Sequence, residues 1–315
     1  MFHSPSPDAL KIVVLAGGDS AERDVSLASG AAVAAALEQA GHHVSILDPR
    51  GPRWDEFDWD PFDACFIALH GGAGEDGRMQ QHLQSLGMPY TGSGPAASRL
   101  AMSKSASKER FFDAGVPTPP YVLCHESDSL LDVAAQAAPL GYPLIVKPDS
   151  QGSSLGVGVA ASAGALAGRL AESFQFDRFA IIEPRVVGRE MTITVLERQA
   201  LAVLEIVSQD DLFSYGAKYH SSATQYRFDP VLQSTSLEHL QQLAVAAAEA
   251  LDTAGLVRVD MMLDRNENPW VLEVNTVPGM TTRSLAPMAA ARAGIDFVAL
   301  CDMLVRDSIR TEAAT

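Results

Sequence analysis

The stretch Val257–Asn275, VRVDMMLDRNENPWVLEVN, decides the fold, and it has the pattern of a β-hairpin. Val257 to Asp264 roughly alternates apolar and polar side chains, Asn266 to Asn268 supply turn chemistry, and Trp270 to Asn275 is apolar-rich with polar residues interleaved. A turn centred between Asn266 and Glu267 sets Asp260 opposite Glu273 and Arg258 opposite Asn275. All four share one face, because side chains alternate with period two. Two carboxylates about 5 Å apart repel by roughly 3 kcal/mol at an effective dielectric of about 20. That is a large share of the roughly 5 to 15 kcal/mol that holds a domain together. A hard divalent cation relieves the repulsion, and an Asp, a Glu and an Asn carbonyl suit Mg²⁺ that keeps its other positions for water and phosphate. Arg258 adds a planar, permanent positive charge for phosphate oxygens. The alternative is a solvated hairpin face, since a slip of one residue moves one carboxylate to the other side.

Outward from the hairpin, 315 residues leave room for two or three domains, and 47% hydrophobic content supplies a core without disulfide staples. There are 39 acidic against 23 basic residues, a net charge of -16, which argues against a nucleic-acid backbone or an anionic membrane as partner. Cys65, Cys124 and Cys301 are scattered without zinc-ligand spacing, as expected of packing residues in a reducing cytoplasm. The first ten residues lack the basic and apolar regions of a secretory signal, and no apolar run reaches the roughly 18 residues of a membrane span.

Lys11 to Ala16 is an apolar run followed by Gly17-Gly18 and a helical pattern from about Arg23 to Ala40. Val44 to Asp48 and Ala64 to Leu69 repeat the strand theme, the second ending at His70-Gly71-Gly72, and Arg78 to Leu86 has the next helical pattern. Such alternation implies an open parallel sheet whose ligands bind outside the carboxyl ends of the strands, where Glu22 and His70 fall. One helix is expected from Ala101 to Ala114, carrying Lys104. Leu144 to Lys147 is a strand leading into a Gly/Ser loop from Pro148 to Gly158, with a helix around Gly164 to Ser173. Phe179 to Glu183, Glu190 to Leu196 and Leu201 to Val207 are further strands of a mostly antiparallel α+β segment. The polar run Ser208 to Asp229, containing Lys218-Tyr219, is long enough for a functional lid. Ser236 to Ala254 is an amphipathic helix stopped by Gly255, and Ser284 is an N-cap for a helix from Leu285. Backbone N–H groups near Gly279 and this helix start favour an anion.

The Gly152 to Gly158 loop has the composition to cradle phosphates through backbone N–H groups, with Ser153 and Ser154 as added donors. It lacks the Gly-Lys-Ser/Thr of a Walker loop, and no G-x-G-x-x-G follows the first strand. Lys104 and Lys147 are candidate phosphate ligands. Glu183 and Glu190 flank a strand end, where a carboxylate holds a ribose hydroxyl or stays solvated. His70 contacts a substrate carboxylate or caps a strand. Without a Ser-His-Asp arrangement or a G-x-S-x-G elbow, what accumulates is the apparatus of phosphoryl transfer by positioning and electrostatics.

In family order, Gly17 to Arg23, Leu69-His70-Gly71, Tyr90 to Gly94, Val146-Lys147-Pro148, Gly152-Ser153-Ser154, Ala217-Lys218-Tyr219, Arg258-Val259-Asp260 and Glu273-Val274-Asn275 through Ser284-Leu285 resemble the D-alanine:D-alanine ligases of the ATP-grasp superfamily. The resemblance implies an α/β protein. An N-terminal open parallel sheet domain (1–100) would precede two α+β domains (101–188 and 189–315) that sandwich ATP. It implies that ATP phosphorylates one D-alanine and that the amine of a second displaces phosphate from the acyl phosphate, for peptidoglycan precursors. Carried over by motif, Glu22 binds the first amino group and His70 its carboxylate region, while Ser153 and Tyr219 join Glu22 in closing the lid. Lys104, Lys147 and Lys218 meet nucleotide phosphates, helped by Ser154. Glu183, Arg185, Val186 and Glu190 line the nucleoside side. Arg258 and the Gly279 backbone stabilise the tetrahedral intermediate, and Ser284 and Leu285 bind the second substrate. Asp260, Glu273 and Asn275 hold two Mg²⁺, with Mn²⁺ as a substitute.

The same resemblance implies a homodimer, and Tyr219, where hydroxy-acid ligases often carry Phe, implies an amino acid acceptor. Two positions depart from the family: Ser103 stands where Asp often precedes the first lysine, and Arg185 stands where an aromatic residue lies near adenine. Another ATP-grasp carboxylate-amine ligase shares the metal hairpin without needing Glu22, Tyr219 and Ser284 together. A nucleotide-binding module without catalysis tolerates changes at Arg258 or Asn275.

Overall fold

The computed structural model describes residues 9–50, 54–208 and 224–312. Strand β1 (Lys11–Leu15) lies between β2 (His43–Leu47) and β3 (Ala64–Ile67), all parallel. Ile12 to Leu15 are fully buried, as a continuous apolar run requires when both faces of a parallel sheet are covered. Helix α1 (Arg23–Gln39) connects β1 to β2, and α2 (Arg78–Ser85) follows β3. Two antiparallel sheets come next, so the expected class of a parallel sheet followed by two α+β layers is what the chain adopts.

The second sheet has the order β4-β7-β5-β6, from β4 (Val122–His125), β5 (Leu144–Pro148), β6 (Gly158–Ala160) and β7 (Phe179–Pro184). Helices α5 (Leu130–Ala137) and α6 (Ala163–Ser173) cover one face through Val133, Ala137, Leu166 and Leu170. The third sheet runs β10-β9-β8-β11-β12, from β8 (Gly188–Leu196), β9 (Gln199–Val207), β10 (Gln225–Phe228), β11 (Leu256–Asp264) and β12 (Pro269–Asn275). Helix α7 (Leu237–Ala250) seals it with Leu240, Ala244 and Ala247 against Val257, Val259 and Met261.

Several elements differ from expectation: β10 is a strand inside the run Ser208 to Asp229 that was expected to be loop, held by antiparallel pairing with β9, and β4 and α5 fall where the sequence pattern assigned nothing. The helix expected over Ala101 to Ala114 is two, α3 (Pro95–Met102) and α4 (Lys104–Asp113), because Ser103 is extended and caps the second by accepting the Ala106 N–H at 3.3 Å. Helix α7 stops at Ala250, one turn before Gly255. The 257–275 hairpin turns about Asn266 rather than between Asn266 and Glu267, which shifts the pairing beside the turn by one residue, with Asp264 N–H donating to Asn268 O at 3.0 Å.

Helix α8 (Leu285–Arg292) starts where Ser284 predicts, and α9 (Phe297–Glu312), which the sequence pattern left unassigned, returns to the first sheet. Leu300, Cys301, Leu304 and Val305 pack with Ile12, Val14, Leu37 and Phe66, and the same core takes in Leu196, Leu256 and Met280. A polar clasp pins α9 there. His42 Nδ1 accepts the Leu10 N–H at 3.1 Å, so Nε2–H donates to Asp302 Oδ1 at 2.7 Å, and Arg306 Nε donates to the same oxygen at 2.8 Å. The three cysteines are free and buried, as expected of packing residues. Among the described residues no helix is long and apolar enough to cross a membrane.

Because Leu300 is fully buried where α9 meets the first sheet, Leu300→Ala is expected to cost about 3 kcal/mol by transfer and cavity terms. Denaturant unfolding checks this, and an unchanged midpoint would deny that α9 belongs to that core.

Candidate active site

At the hairpin, Arg258 pairs with Asn275, Val259 with Val274 and Asp260 with Glu273, whereas Met261 pairs with Val271. Leu272 is therefore an extra residue, a bulge in β12. Its consequence is parity. Val271 and Val274 both enter the core with Val259 and Met261, which leaves Glu273 and Asn275 on the face of Arg258 and Asp260. Continued without the bulge, the ladder would aim Glu273 into the core. The earlier turn and the bulge cancel, so the expected pairing holds at the carboxylates.

The carboxylate repulsion inferred from sequence is already relieved by protein groups. Arg258 holds Asp260 through two hydrogen bonds of 2.8 and 2.7 Å; Thr192 Oγ1 donates to it at 2.7 Å and Asn275 Nδ2 at 3.1 Å. Lys104 Nζ lies 4.0 Å from Glu273. Asn275 keeps its side-chain carbonyl for another partner. Among the described residues no group of three or more His, Cys, Asp or Glu is placed to hold a metal. The donor set is two carboxylates and an amide oxygen, hard ligands short of a full shell, which fits a divalent ion completed by water and phosphate oxygens.

Beside the hairpin, Glu183 is buried at the end of β7 with two lysines on it, Lys147 at 2.6 Å and Lys108 at 2.9 Å. Burial pushes the Glu183 carboxyl up, but the paired lysines outweigh it and hold it below the ordinary carboxylate range. Burial pushes Lys108 down to about 8 against the pull of Glu183. Lys108 also donates to Thr118 Oγ1 at 2.8 Å and Pro119 O at 3.0 Å. Thus Glu183 is not a solvated carboxylate. Arg185 and Val186 follow it half-buried, with Arg185 N–H donating to Pro143 O at 3.0 Å, and Glu190 is half-buried on β8.

Lys104 is the first residue of α4, and its Nζ donates to Gln151 O in the Gly/Ser loop at 2.7 Å. Asp149 fastens these parts together. It accepts from Ser103 Oγ at 2.7 Å and Ser105 N–H at 2.7 Å, and its carbonyl accepts the Lys104 N–H at 3.0 Å. The carboxylate at this helix N-terminus therefore comes from residue 149, and Ser103 is the hydroxyl that partners it.

On the N-terminal side, Glu22 precedes α1 and is buried, and Ser153 Oγ donates to its carboxylate. A Cβ at Gly71 would lie 2.9 Å from Glu22 Oε2 and one at Gly152 3.1 Å from it, so both positions must stay small for the carboxylate to fit. Ser153 and Ser154 adopt φ of 54° and 57°, strained for residues with a Cβ and typical of a loop shaped for a ligand. His70 has both ring nitrogens on protein atoms, Nε2 2.9 Å from Ser29 Oγ and Nδ1 3.0 Å from Val277 O.

Ser284 does not cap α8 with its side chain; its Oγ accepts the Thr281 N–H at 3.1 Å. Gly279 lies against it, since a Cβ there would come 2.9 Å from Ser284 Oγ. Leu285 is half-buried at the start of the helix. Lys218 and Tyr219 lie outside the described residues.

One cavity is lined by Glu75, Lys104, Gln151, Gly152, Glu273 and Asn275, so all three chain segments converge on it. Glu75, Lys108, Asp149 and Thr192 are the site residues that sequence reasoning missed. Glu75 had a signal, a carboxylate in the Gly-rich run after His70, and Lys108 another, a lysine one helical turn after Lys104. Asp149 and Thr192 had none. Replacing Ser103 by the commoner Asp sets a second carboxylate against Asp149, so Ser103→Asp is expected to weaken nucleotide binding about tenfold, or roughly 1.4 kcal/mol. Asp149→Ser in the same chain is expected to restore it. Calorimetric titration with ATP checks both, and equal affinity for Ser103→Asp and the unaltered chain would refute the clamp.

Residues 111–306 match the family model described as D-ala D-ala ligase C-terminus. A D-alanine--D-alanine ligase of Gloeobacter violaceus is 42% identical over 301 residues, covering 95% of this chain and all of the relative. One from Ectopseudomonas mendocina is 41% identical over 299 residues, with 95% of each chain covered. The solved structure of the Bacillus anthracis D-alanine--D-alanine ligase superposes with a TM-score of 0.87 at 33% identity, covering 97% of this chain and 99% of that one. Its complex with ATP superposes at 0.85 and 31% identity, with the same coverage.

Proposed function

The chain belongs to the D-alanine--D-alanine ligase family, and from that premise we propose how its cleft divides the work. It is a C–N ligase that joins two D-alanines with ATP for peptidoglycan precursors, and it uses a divalent metal. The observation that carries the residue assignment is the cavity in which Lys104, Gln151 and Gly152 meet Glu273 and Asn275. The Lys104 side chain, the Gly/Ser loop and the hairpin residues Glu273 and Asn275 border one space, which supports this reading.

In this scheme the nucleotide lies between the second and third sheets. Glu183, Arg185, Val186 and Glu190 face its nucleoside, while Lys104, Lys147, Lys218 and the Ser153-Ser154 backbone face its phosphates. Asp260, Glu273 and Asn275 would hold two Mg²⁺. When bound, the metal neutralises phosphate charge and orients the γ-phosphoryl group. Glu22, held by Ser153 and joined by Tyr219, takes the ammonium of the first D-alanine, and His70 borders its carboxylate. A carboxylate oxygen attacks the γ-phosphorus, the bond to ADP breaks, and an acyl phosphate forms. Ser284 and Leu285 hold the second D-alanine by its carboxylate. Its ammonium gives one proton to solvent, the free amine attacks the acyl carbon, and phosphate leaves with the C–O bonding pair and takes the second proton. Negative charge grows on the carbonyl oxygen in this step, and Arg258 with the Gly279 N–H is aimed at that charge. Closure by the segment containing Tyr219 keeps water from the acyl phosphate. The assembly that goes with this scheme is a cytoplasmic homodimer with domains near 1–100, 101–188 and 189–315.

Phosphate release by the purified protein with ATP and Mg²⁺ tests the function. It is expected to depend on D-alanine, to ignore L-alanine, and to yield one dipeptide per phosphate; ATP binding with no D-alanine stimulation would favour a non-catalytic module. Glu273→Gln removes one charge from the cleft and is expected to lower kcat by about 10² to 10³ with unchanged circular dichroism. Near-normal turnover would remove Glu273 from the metal site. Tyr219→Phe is expected to raise the share of hydroxy-acid product when D-alanine and D-lactate compete, and an unchanged product ratio would count against its place beside the acceptor.

A further inference from the structure

Ser29 is fully buried on α1, yet its hydroxyl belongs to no cap or turn of that helix. It lies 2.9 Å from His70 Nε2 and accepts the Met280 N–H at 3.1 Å. The other imidazole nitrogen, Nδ1, lies 3.0 Å from Val277 O. A carbonyl oxygen only accepts, so the Nδ1 proton is fixed by Val277; Nε2 of the neutral ring is then an acceptor, and the Ser29 hydroxyl must donate to it. Each group in the chain thus has one direction. Met280 N–H donates to Ser29, Ser29 O–H to His70, and His70 Nδ1–H back to Val277.

The two ends of this relay are three residues apart in sequence, Val277 and Met280, with Gly279 between them. Its middle is on other elements, at the end of β3 and on α1. We propose that Ser29 is a positioning residue for the ligation step, holding the Val277–Met280 segment so that the Gly279 N–H stays aimed at the developing oxyanion. The inference rests on the assignment of Gly279 made above. Two features make Ser29 the sensitive point. Both of its partners are buried, His70 is 4% exposed and Met280 2%, so losing the hydroxyl strands an acceptor and a donor where water does not replace it. Oxyanion stabilisation also depends steeply on geometry, since small displacements of a positioned donor cost large factors in rate. The nucleotide groups lie on other segments, so ATP binding should be spared.

The test compares Ser29→Ala and Ser29→Cys with the unaltered enzyme. Steady-state kinetics give kcat and the KM for ATP and D-alanine, hydrogen exchange reports the Met280 amide, and nitrogen NMR reports His70 Nε2. Ser29→Ala removes one oxygen atom and no core contact of any size, so the fold is expected to persist. The expected result is a fall in kcat of about tenfold or more with KM for ATP within about twofold of its original value. Met280 protection should fall, and the Nε2 resonance should move to that of an unbonded acceptor. Ser29→Cys, which keeps a weak donor and acceptor, should lie between. A structural filler would lower the melting temperature and leave the kinetic split, the Nε2 resonance and Met280 exchange unmoved; that result overturns the proposal. Loosened Met280 with kcat unchanged overturns it too, by separating the segment from the chemistry. If the unaltered enzyme shows no D-alanine-dependent turnover, the functional assignment fails instead, and the exchange and NMR arms still report on the relay.

Discussion

The bulged pairing of β11 with β12 is the constraint on which the site depends. One extra residue, Leu272, lets Val271 and Val274 both reach the core while Glu273 and Asn275 stay beside Arg258 and Asp260. A straight ladder would aim one carboxylate among Val259 and Met261, where burying an unpaired charge is costly. In the described structure, Arg258 and Lys104 stand in as counter-charges for Asp260 and Glu273. The face proposed to take a divalent ion is thus stable without one, and on the proposed roles a cation bound there would compete for Asp260 with Arg258, whose proposed work lies at the reacting carbonyl. On that proposal, metal binding and release of Arg258 toward substrate would be linked events.

The other segments are brought to this face by buried polar bonds rather than by apolar contact alone. Asp149 ties the start of α4 to the end of β5, which keeps Lys104 on the Gly/Ser loop. Glu183 with Lys108 and Lys147 forms a triad in which removing one member leaves an uncompensated buried charge. Ser29 and His70 join the first sheet to the segment after β12. Each bond links residues far apart in sequence, so the cleft is held as a unit even though its walls come from three sheets.

Much of this architecture was legible beforehand. The alternation of β11 and β12, the Asn-rich turn and the apolar runs of β1 and β3 carry local signals strong enough to place strands. The carboxylate pair was legible for a less direct reason, because two one-residue errors, in turn position and in the missing bulge, cancelled. The break at Ser103 was hidden, since Ala101 to Ala114 offers no Gly or Pro and a serine cap resembles any surface serine. Helix α9 was missed because its apolar face is completed by elements distant in sequence, α1, β1 and β3 among them. Ser29, Asp149 and Thr192 were invisible for the same reason, their partners lying at the far end of long-range contacts. Glu22 and His70 were marked by their places at strand ends and Gly279 by a helix start before the family motif gave them roles, and the structure gives them neighbours that the motif does not contain.

The account's central claim is that the face shared by Asp260, Glu273 and Asn275 binds the cation that holds the nucleotide. Electron paramagnetic resonance of Mn²⁺ added with a non-hydrolysable ATP analogue tests it most directly, comparing the unaltered chain with Asp260→Asn. The account predicts nucleotide-dependent Mn²⁺ binding to the unaltered chain and its marked loss in the variant. Equal Mn²⁺ binding by both would contradict it.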